Sequence, residues 1–306
     1  MAPSLRTTGA AKTMQVILHC GVHCTDDDRL LKGLLRNADM LRAEGTAVPG
    51  PSRYRTLLSE IVNALDTGTP APAARDVVLD EILDMPAEST DRVVLCHPDL
   101  FSVRRIALAG GRLYRKAESR LAMLRDLFAE DQVELVLGLR DMGSFLPALL
   151  AATPHEHLDE VLHGADPTAL RWSDLIVRIR AAVPGMPITV WCNEDTPLLW
   201  GQILREVAGL PPDRKITGAF DLFGEIVRDE GMRRFRAFLK DNPGVSEDQK
   251  RRLMAAFLDK YAIEDALEEE LDLPGWDATG LEALSAAYDA DLDRIAEIPG
   301  VRVLVP

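Results

Sequence analysis

The chain reads as an α/β protein: a parallel sheet flanked by helices, followed by a mostly helical C-terminal region. Three observations carry this. Short apolar runs of strand length recur at residues 14–18, 92–96, 133–139 and 188–192. Stretches with helical spacing of apolar residues separate them. From Thr217 to Glu297 strand signals stop and the pattern becomes helical and highly charged. Strands that alternate with helices pair in parallel, because each helix carries the chain back across the sheet.

The elements follow in order. The first strand, 14–18, runs into His19, Cys20 and Gly21. Leu30, Leu31, Leu34, Leu35 and Leu41 share one side of a single helix over 28–44, and Gly45 is its stop signal. Residues 46–52 are a connection punctuated by proline and glycine. A helix over 54–65 leads to the low-complexity loop DTGTPAPAA at 66–74 and a helix over 77–83. The later strands are followed by helices over 117–128, 145–152, 172–183 and 198–208. Residues 301–305 end the chain as a strand that joins the sheet. Residues 1–13 read as a loose tail and 14–306 as a single domain, with 217–300 packed on the sheet. Right-handed crossovers bring the C-terminal ends of parallel strands to one edge, where such sheets bind ligands. That edge collects residues 19–28, 97–99, 140–144 and 193–196 as the candidate site.

Composition narrows the function classes. A net charge of −14 repels nucleic-acid backbones and anionic membrane surfaces, so neither is expected as a partner. No apolar run approaches the roughly 20 residues that span a bilayer, and no signal-peptide stretch opens the chain. A cytoplasmic location follows as the expectation, and its four cysteines are then reduced thiols.

The stretch VILHCGVHCTDDDRLLKGLLRN is similar to the opening of bacterial sulfotransferases, where a strand-to-helix loop of the form HIGxHKTGTTSLQ wraps the donor phosphosulfate. His19, Gly21, His23 and Thr25 match that pattern, Cys24 stands at the lysine position, and Asp26, Asp27 and Asp28 stand at Gly-Thr-Thr. LGLRDMGSFLPALL resembles the element whose arginine and later serine hold the nucleotide 3′-phosphate; Arg140 matches the arginine and Ala148 occupies the serine position. ITVWCNEDTPLLWGQILREVAGL, LPGWD and AAYDADLDRIAEIPGVRVL resemble later parts of the family, so the likeness spans most of the chain. It implies a P-loop-like fold and 3′-phosphoadenosine 5′-phosphosulfate as the donor cofactor. It also implies a small-molecule or glycan hydroxyl as acceptor. The donor loop would be Gly21, His23, Cys24, Thr25 and Asp26, with Arg140 on the nucleotide, and His23 and His97 as catalytic residues.

The departures matter physically. A phosphate loop aims backbone N–H groups and a helix N-terminus at an anion, helped by a lysine. Here the lysine is absent and three carboxylates precede the helix. They favour the helix dipole but repel a phosphate or sulfate. Three readings of them stand side by side: helix capping, cation binding and substrate contact. Arg140 is either an anion ligand or an ion-paired arginine. His97 has the chemistry of a general base near neutrality. His19, Cys20, His23, Cys24, Cys96, His97 and Cys192 gather near strand ends, and sulfur with imidazole suits zinc or copper. There is no CxxC pair, and cysteine also serves as a small buried hydrophobe, so no metal is expected. Glu194 and Asp195 orient a substrate or simply belong to a strand-to-helix turn with Thr196 as N-cap. The basic clusters at Arg233, Arg234 and Arg236 and at Lys250, Arg251 and Arg252 read as solvated, ion-paired helix faces. Trp276 and Tyr288 read as packing residues. Three functions fit: a sulfotransferase-like enzyme with an altered donor site, an inactive binding protein on the same fold, and a metal-binding protein using the Cys/His set.

Overall fold

Buried β-branched and leucine runs pair into one sheet of six parallel strands. In the computed structural model, which describes residues 13–64, 70–71, 73–267 and 276–306, these are β1 Gln15–His19, β2 Thr46–Ala47, β3 Arg92–Cys96, β4 Gln132–Leu139, β5 Ile188–Cys192 and β6 Val301–Leu304. Their spatial order is β2-β3-β1-β4-β5-β6. The register sets His19 beside Cys96 on one side and Val136 on the other, and Leu139 beside Cys192. The helices in the first half are α1 Arg29–Leu35, α2 Ala38–Ala43, α3 Pro51–Ala64, α4 Ala74–Ile82, α5 Ala117–Leu127, α6 Met142–Ala151 and α7 Leu158–Leu162. The second half adds α8 Trp172–Ala182, α9 Thr196–Ala208, α10 Asp221–Ile226, α11 Asp229–Asp241, α12 Glu247–Tyr261, α13 Glu264–Leu267 and α14 Ala278–Ala296.

Alternation along each strand sends side chains to two cores. Ile17, Val94, Val136 and Trp191 meet α1 and α9 on one face. Val16, Leu18, Leu135 and Val190 meet α3, α5, α8 and α14 on the other. A third cluster, built on Phe223, Phe235 and Met254, joins α10, α11 and α12 outside α9. The connection from β1 to β2 runs over the α1–α9 face, whereas that from β3 to β4 runs over the opposite face through α5. β1 therefore stands where the winding reverses, and the crevice of such a sheet opens at its C-terminal end.

The α/β class, the parallel sheet and the joining of the final strand agree with the sequence. Three details differ. The single helix expected over 28–44 is two, α1 and α2, because the buried Asn37 amide turns away to bond Gly33 O at 2.9 Å and Thr217 O at 3.0 Å. The connection at 46–52 contains the short edge strand β2. The N-cap of α9 is Asp195, with Thr196 inside the first turn. Trp276 and Tyr288 do pack against the larger core. No described helix is long and apolar enough to cross a membrane. Residues 1–12 of the expected tail, 65–69 and 72 of the low-complexity loop, and 273–275 of LPGWD lie outside the described residues.

Candidate functional site at the C-terminal edge of the sheet

The β1 loop returns to the helix through left-handed backbone. Gly21 has φ of +93°, and Cys24, Asp27 and Asp28 have φ of +59°, +45° and +63°. The three non-glycine residues carry roughly 1 kcal/mol or more of steric cost each, so surrounding bonds must hold them. The carboxylates supply several. Asp26 accepts the Leu30 N–H at 3.0 Å through its side chain and the Arg29 N–H at 2.8 Å through its carbonyl. That is the capping reading, realised by Asp26. Asp28 takes a two-pronged ion pair from Arg55 of α3, at 3.0 and 2.5 Å. The hydrogen bonds from that guanidinium hold the Asp28 carboxyl below the usual carboxylate range. Asp27 is exposed, and its side chain has no hydrogen-bond partner among the described residues.

Arg55 was not legible as a site residue. Its Nε also donates to the carbonyl of Cys96 at 2.9 Å. The neighbouring Tyr54 hydroxyl donates to the same carbonyl at 2.9 Å and accepts the Cys96 N–H at 3.0 Å. α3 thus clamps the end of β3 and the β1 loop together. The only signal in the sequence is a Tyr-Arg pair near a helix start, which does not say what it meets.

The two histidines expected to be catalytic are both buried. The His23 side chain is fully enclosed. The Tyr114 hydroxyl lies 3.1 Å from its Nδ1 and accepts the His23 backbone N–H at 3.0 Å. His23 Nε2 lies 3.2 Å from a carboxylate oxygen of Asp99. Because that carboxylate only accepts, Nε2 carries the proton and Nδ1 takes the one Tyr114 offers. This hydrogen bond holds the Asp99 carboxyl below its ordinary range. His97 has Nε2 at 2.9 Å from the Arg55 carbonyl and 2.9 Å from Ser59 Oγ. The carbonyl accepts, so Nε2 carries the proton and the lone pair sits on Nδ1. Nδ1 is buried without a partner among the described residues, and burial lowers the pKa of the ring. Both of these expected catalytic rings, His23 and the general-base candidate His97, are thus buried rather than exposed to solvent. His19 stacks on Trp191 with ring centres 6.0 Å apart, its Nε2 also buried without a partner among the described residues.

Arg140 does come to the loop. Its Nη1 donates to the carbonyl of Cys24, and its Nε donates to Ser144 Oγ at 2.9 Å. The serine that meets it is thus four residues on; Ala148 lies farther along the same helix. Burial raises the Cys24 thiol above its ordinary value. At the neighbouring strand end, Glu194 accepts the Asp141 N–H at 3.0 Å and the Tyr288 hydroxyl at 3.2 Å, tying β4, β5 and α14 together. Burial pushes the Cys192 thiol up to about 12, and it raises the Asp195 carboxyl too. All four cysteines are free thiols. Among the described residues no three or more His, Cys, Asp or Glu side chains are arranged to hold a metal ion.

A cavity of about 250 Å³ remains at the loop. Its wall is the stretch from Val22 to Asp28, with Pro98 and Arg104. Its wall thus includes three aspartates and one arginine. Arg140 is not in the wall, whereas Arg104, exposed and without an ion-pair partner among the described residues, is. No family model matches this chain, and no curated protein matches it.

Proposed function

We propose that this chain is a sulfotransferase-like protein without phosphosulfate chemistry: a binding protein built on that scaffold. One observation carries the reading. The side chains that a donor loop would offer an anion are for the most part already used by the protein. The start of α1 is capped by Asp26, Asp28 is committed to Arg55, His23 is enclosed between Tyr114 and Asp99, and Arg140 is bonded to Cys24 and Ser144. What faces the cavity is predominantly negative. A like charge near 4 Å opposes an anion by several kcal/mol at an effective dielectric of about 20.

The test is calorimetry of the full chain with 3′-phosphoadenosine 5′-phosphate, together with a sulfuryl-transfer assay on phenolic and sugar hydroxyls. The expected result is no binding at about 100 μM and no transfer. Binding at about 10 μM or tighter, with transfer above background, overturns the reading.

A second reading rests on Arg104. It is the one Arg or Lys in the wall among the described residues, and it lines the same cavity as Cys24, the position where the resembling family has lysine. Under that reading Arg104 steadies the leaving phosphate as an acceptor hydroxyl oxygen bonds to sulfur, the sulfur–phosphate oxygen bond breaks and the hydroxyl proton passes to solvent water. Weak transfer by the wild type that is abolished in Arg104→Ala would favour it.

A further inference from the structure

A larger cavity lies elsewhere, between α9, α11, α12 and the segment before α10, with a volume of about 480 Å³. It shares no wall residue with the cavity at the β1 loop. Its floor is apolar, formed by Leu198, Ile216, Phe220 and Met254 with the small Gly201 and Ala219. Its basic wall residues are Arg205, Arg214, Lys215, Lys240, Lys250 and Arg251, against Asp213 and Glu247 as the acids. In a chain whose net charge is −14 this is a marked local reversal.

The pairing makes the reversal larger where it matters. Glu247 is shared: it accepts from both Arg205 and Lys250, so one carboxylate stands against two cations. Arg214 and Arg251 are satisfied from outside the wall, by Glu44 and Asp248. Lys215 and Lys240 have no ion pair among the described residues, and both are exposed. Arg205 is 7% exposed, yet its Nε is buried with no hydrogen-bond partner among the described residues. The Nε itself is enclosed by the protein, so what Arg205 offers the cavity is the outer part of its guanidinium. An apolar floor with a few converging donors has the anatomy of a small-molecule site, and its size is in the usual range.

We propose that this cavity binds an amphiphilic carboxylate: a single anionic head on an apolar body of medium length. The apolar floor takes the body. The head sits at Arg205, whose planar fork suits a carboxylate, with Lys215 and Lys240 at the mouth to attract it. A bare inorganic anion leaves the floor wet, and a neutral alcohol leaves the cations uncompensated.

Calorimetry of the full chain with decanoate tests this, with decanol and acetate as controls. Decanoate is expected to bind once per chain, at least about tenfold tighter than either control, with affinity that falls as salt rises. The double variant Lys215→Gln, Lys240→Gln removes only exposed, unpaired charges and is expected to keep the fold. It should weaken decanoate by about threefold to tenfold and flatten the salt dependence. Arg205→Gln should weaken it further if the protein remains folded; the lysine pair keeps the test decisive if it does not. The proposal fails if decanoate does not bind at about 1 mM. It also fails if decanol binds as tightly as decanoate, if several decanoates bind per chain, or if the lysine variant binds as the wild type does.

Discussion

The cavity at the β1 loop and the cavity beside α9 use charge in opposite ways. At the end of β1 most of the carboxylates have partners: Asp28 meets Arg55, Asp99 meets His23, and Asp26 meets a helix N-terminus, while Asp27 and Arg104 have none among the described residues. In the cavity beside α9 the cations outnumber their partners, and a buried guanidinium keeps an unbonded donor. A carboxylate already bonded within the protein has become part of the structure. A place where buried or clustered groups lack partners retains something to give a ligand. The carboxylates at the sheet edge that the fold marks as the ligand site are thus more fully paired than the cations of the other cavity.

The largest expected effect breaks the comparison on the cavity side. Arg205 is almost wholly buried and its one carboxylate partner is Glu247. If the site stores an unmet donor, Arg205→Met should cost less than breaking a typical buried pair. Lys250 still compensates Glu247, and methionine fills the volume without a stranded donor. We expect a loss of about 1–3 kcal/mol in urea unfolding, below the roughly 3–5 kcal/mol of a broken buried pair. A loss of about 5 kcal/mol would mean that Arg205 is a structural strut like Arg55.

The next effect is on the sheet edge. Burial lowers the pKa of both His19 and His97. A histidine whose folded pKa lies below its unfolded value of about 6.5 binds more protons when unfolded, so stability is complete above that value and falls as pH drops below it. Each ring contributes a slope of at most about 1.4 kcal/mol per pH unit. Stability should therefore decline from pH 7 to pH 5, and His97→Gln should make the decline shallower. An unchanged slope in that variant would show that His97 takes up a proton in the folded state, and the sealed-site account would lose one of its supports.

The sequence carried the architecture further than the site. Strands 92–96 and 188–192 have the expected bounds because they are buried on both faces and read as unbroken apolar runs. β2 was missed because it is two residues at the sheet's edge, too short for any periodicity. The helix break at Asn37 was missed because its cause is a partner 180 residues away, Thr217. Gly21, His23, Cys24, Thr25 and Asp26 do meet in the loop, since they are neighbours in the chain, and Arg140 reaches them. What spacing could not carry was the sign of each role. Whether His23 and His97 face solvent depends on Tyr114, Arg55 and Ser59, each brought in by a different element. The basic residues at Lys250 and Arg251 are ion-paired on a helix face, as expected. That they also line a cavity depends on α9 lying opposite.

The smallest effect separates carboxylates that the sequence could not rank. Asp26 and Asp27 are adjacent, both precede α1, and both repel an anion. Only Asp26 accepts a backbone N–H of the helix through its side chain. Replacing such a capping group with alanine costs about 1 kcal/mol. Asp27 is exposed, lacks a side-chain partner among the described residues, and sits at φ of +45°, where a Cβ is disfavoured. Glycine adopts that region freely, so Asp27→Gly should relieve local strain, offset by the greater freedom glycine gives the unfolded chain. Asp26→Ala is therefore expected to lower stability by about 1 kcal/mol, and Asp27→Gly to leave it unchanged within about 0.5 kcal/mol. Urea titrations of the two variants beside the wild type measure both. Equal losses would mean that Asp27 also holds the loop, and the cavity at β1 would then have no carboxylate left over for anything but structure. Loss at Asp26 alone leaves Asp27 as the one acid in that wall without a structural task. It is then the residue to change first in any attempt to open the loop to an anion.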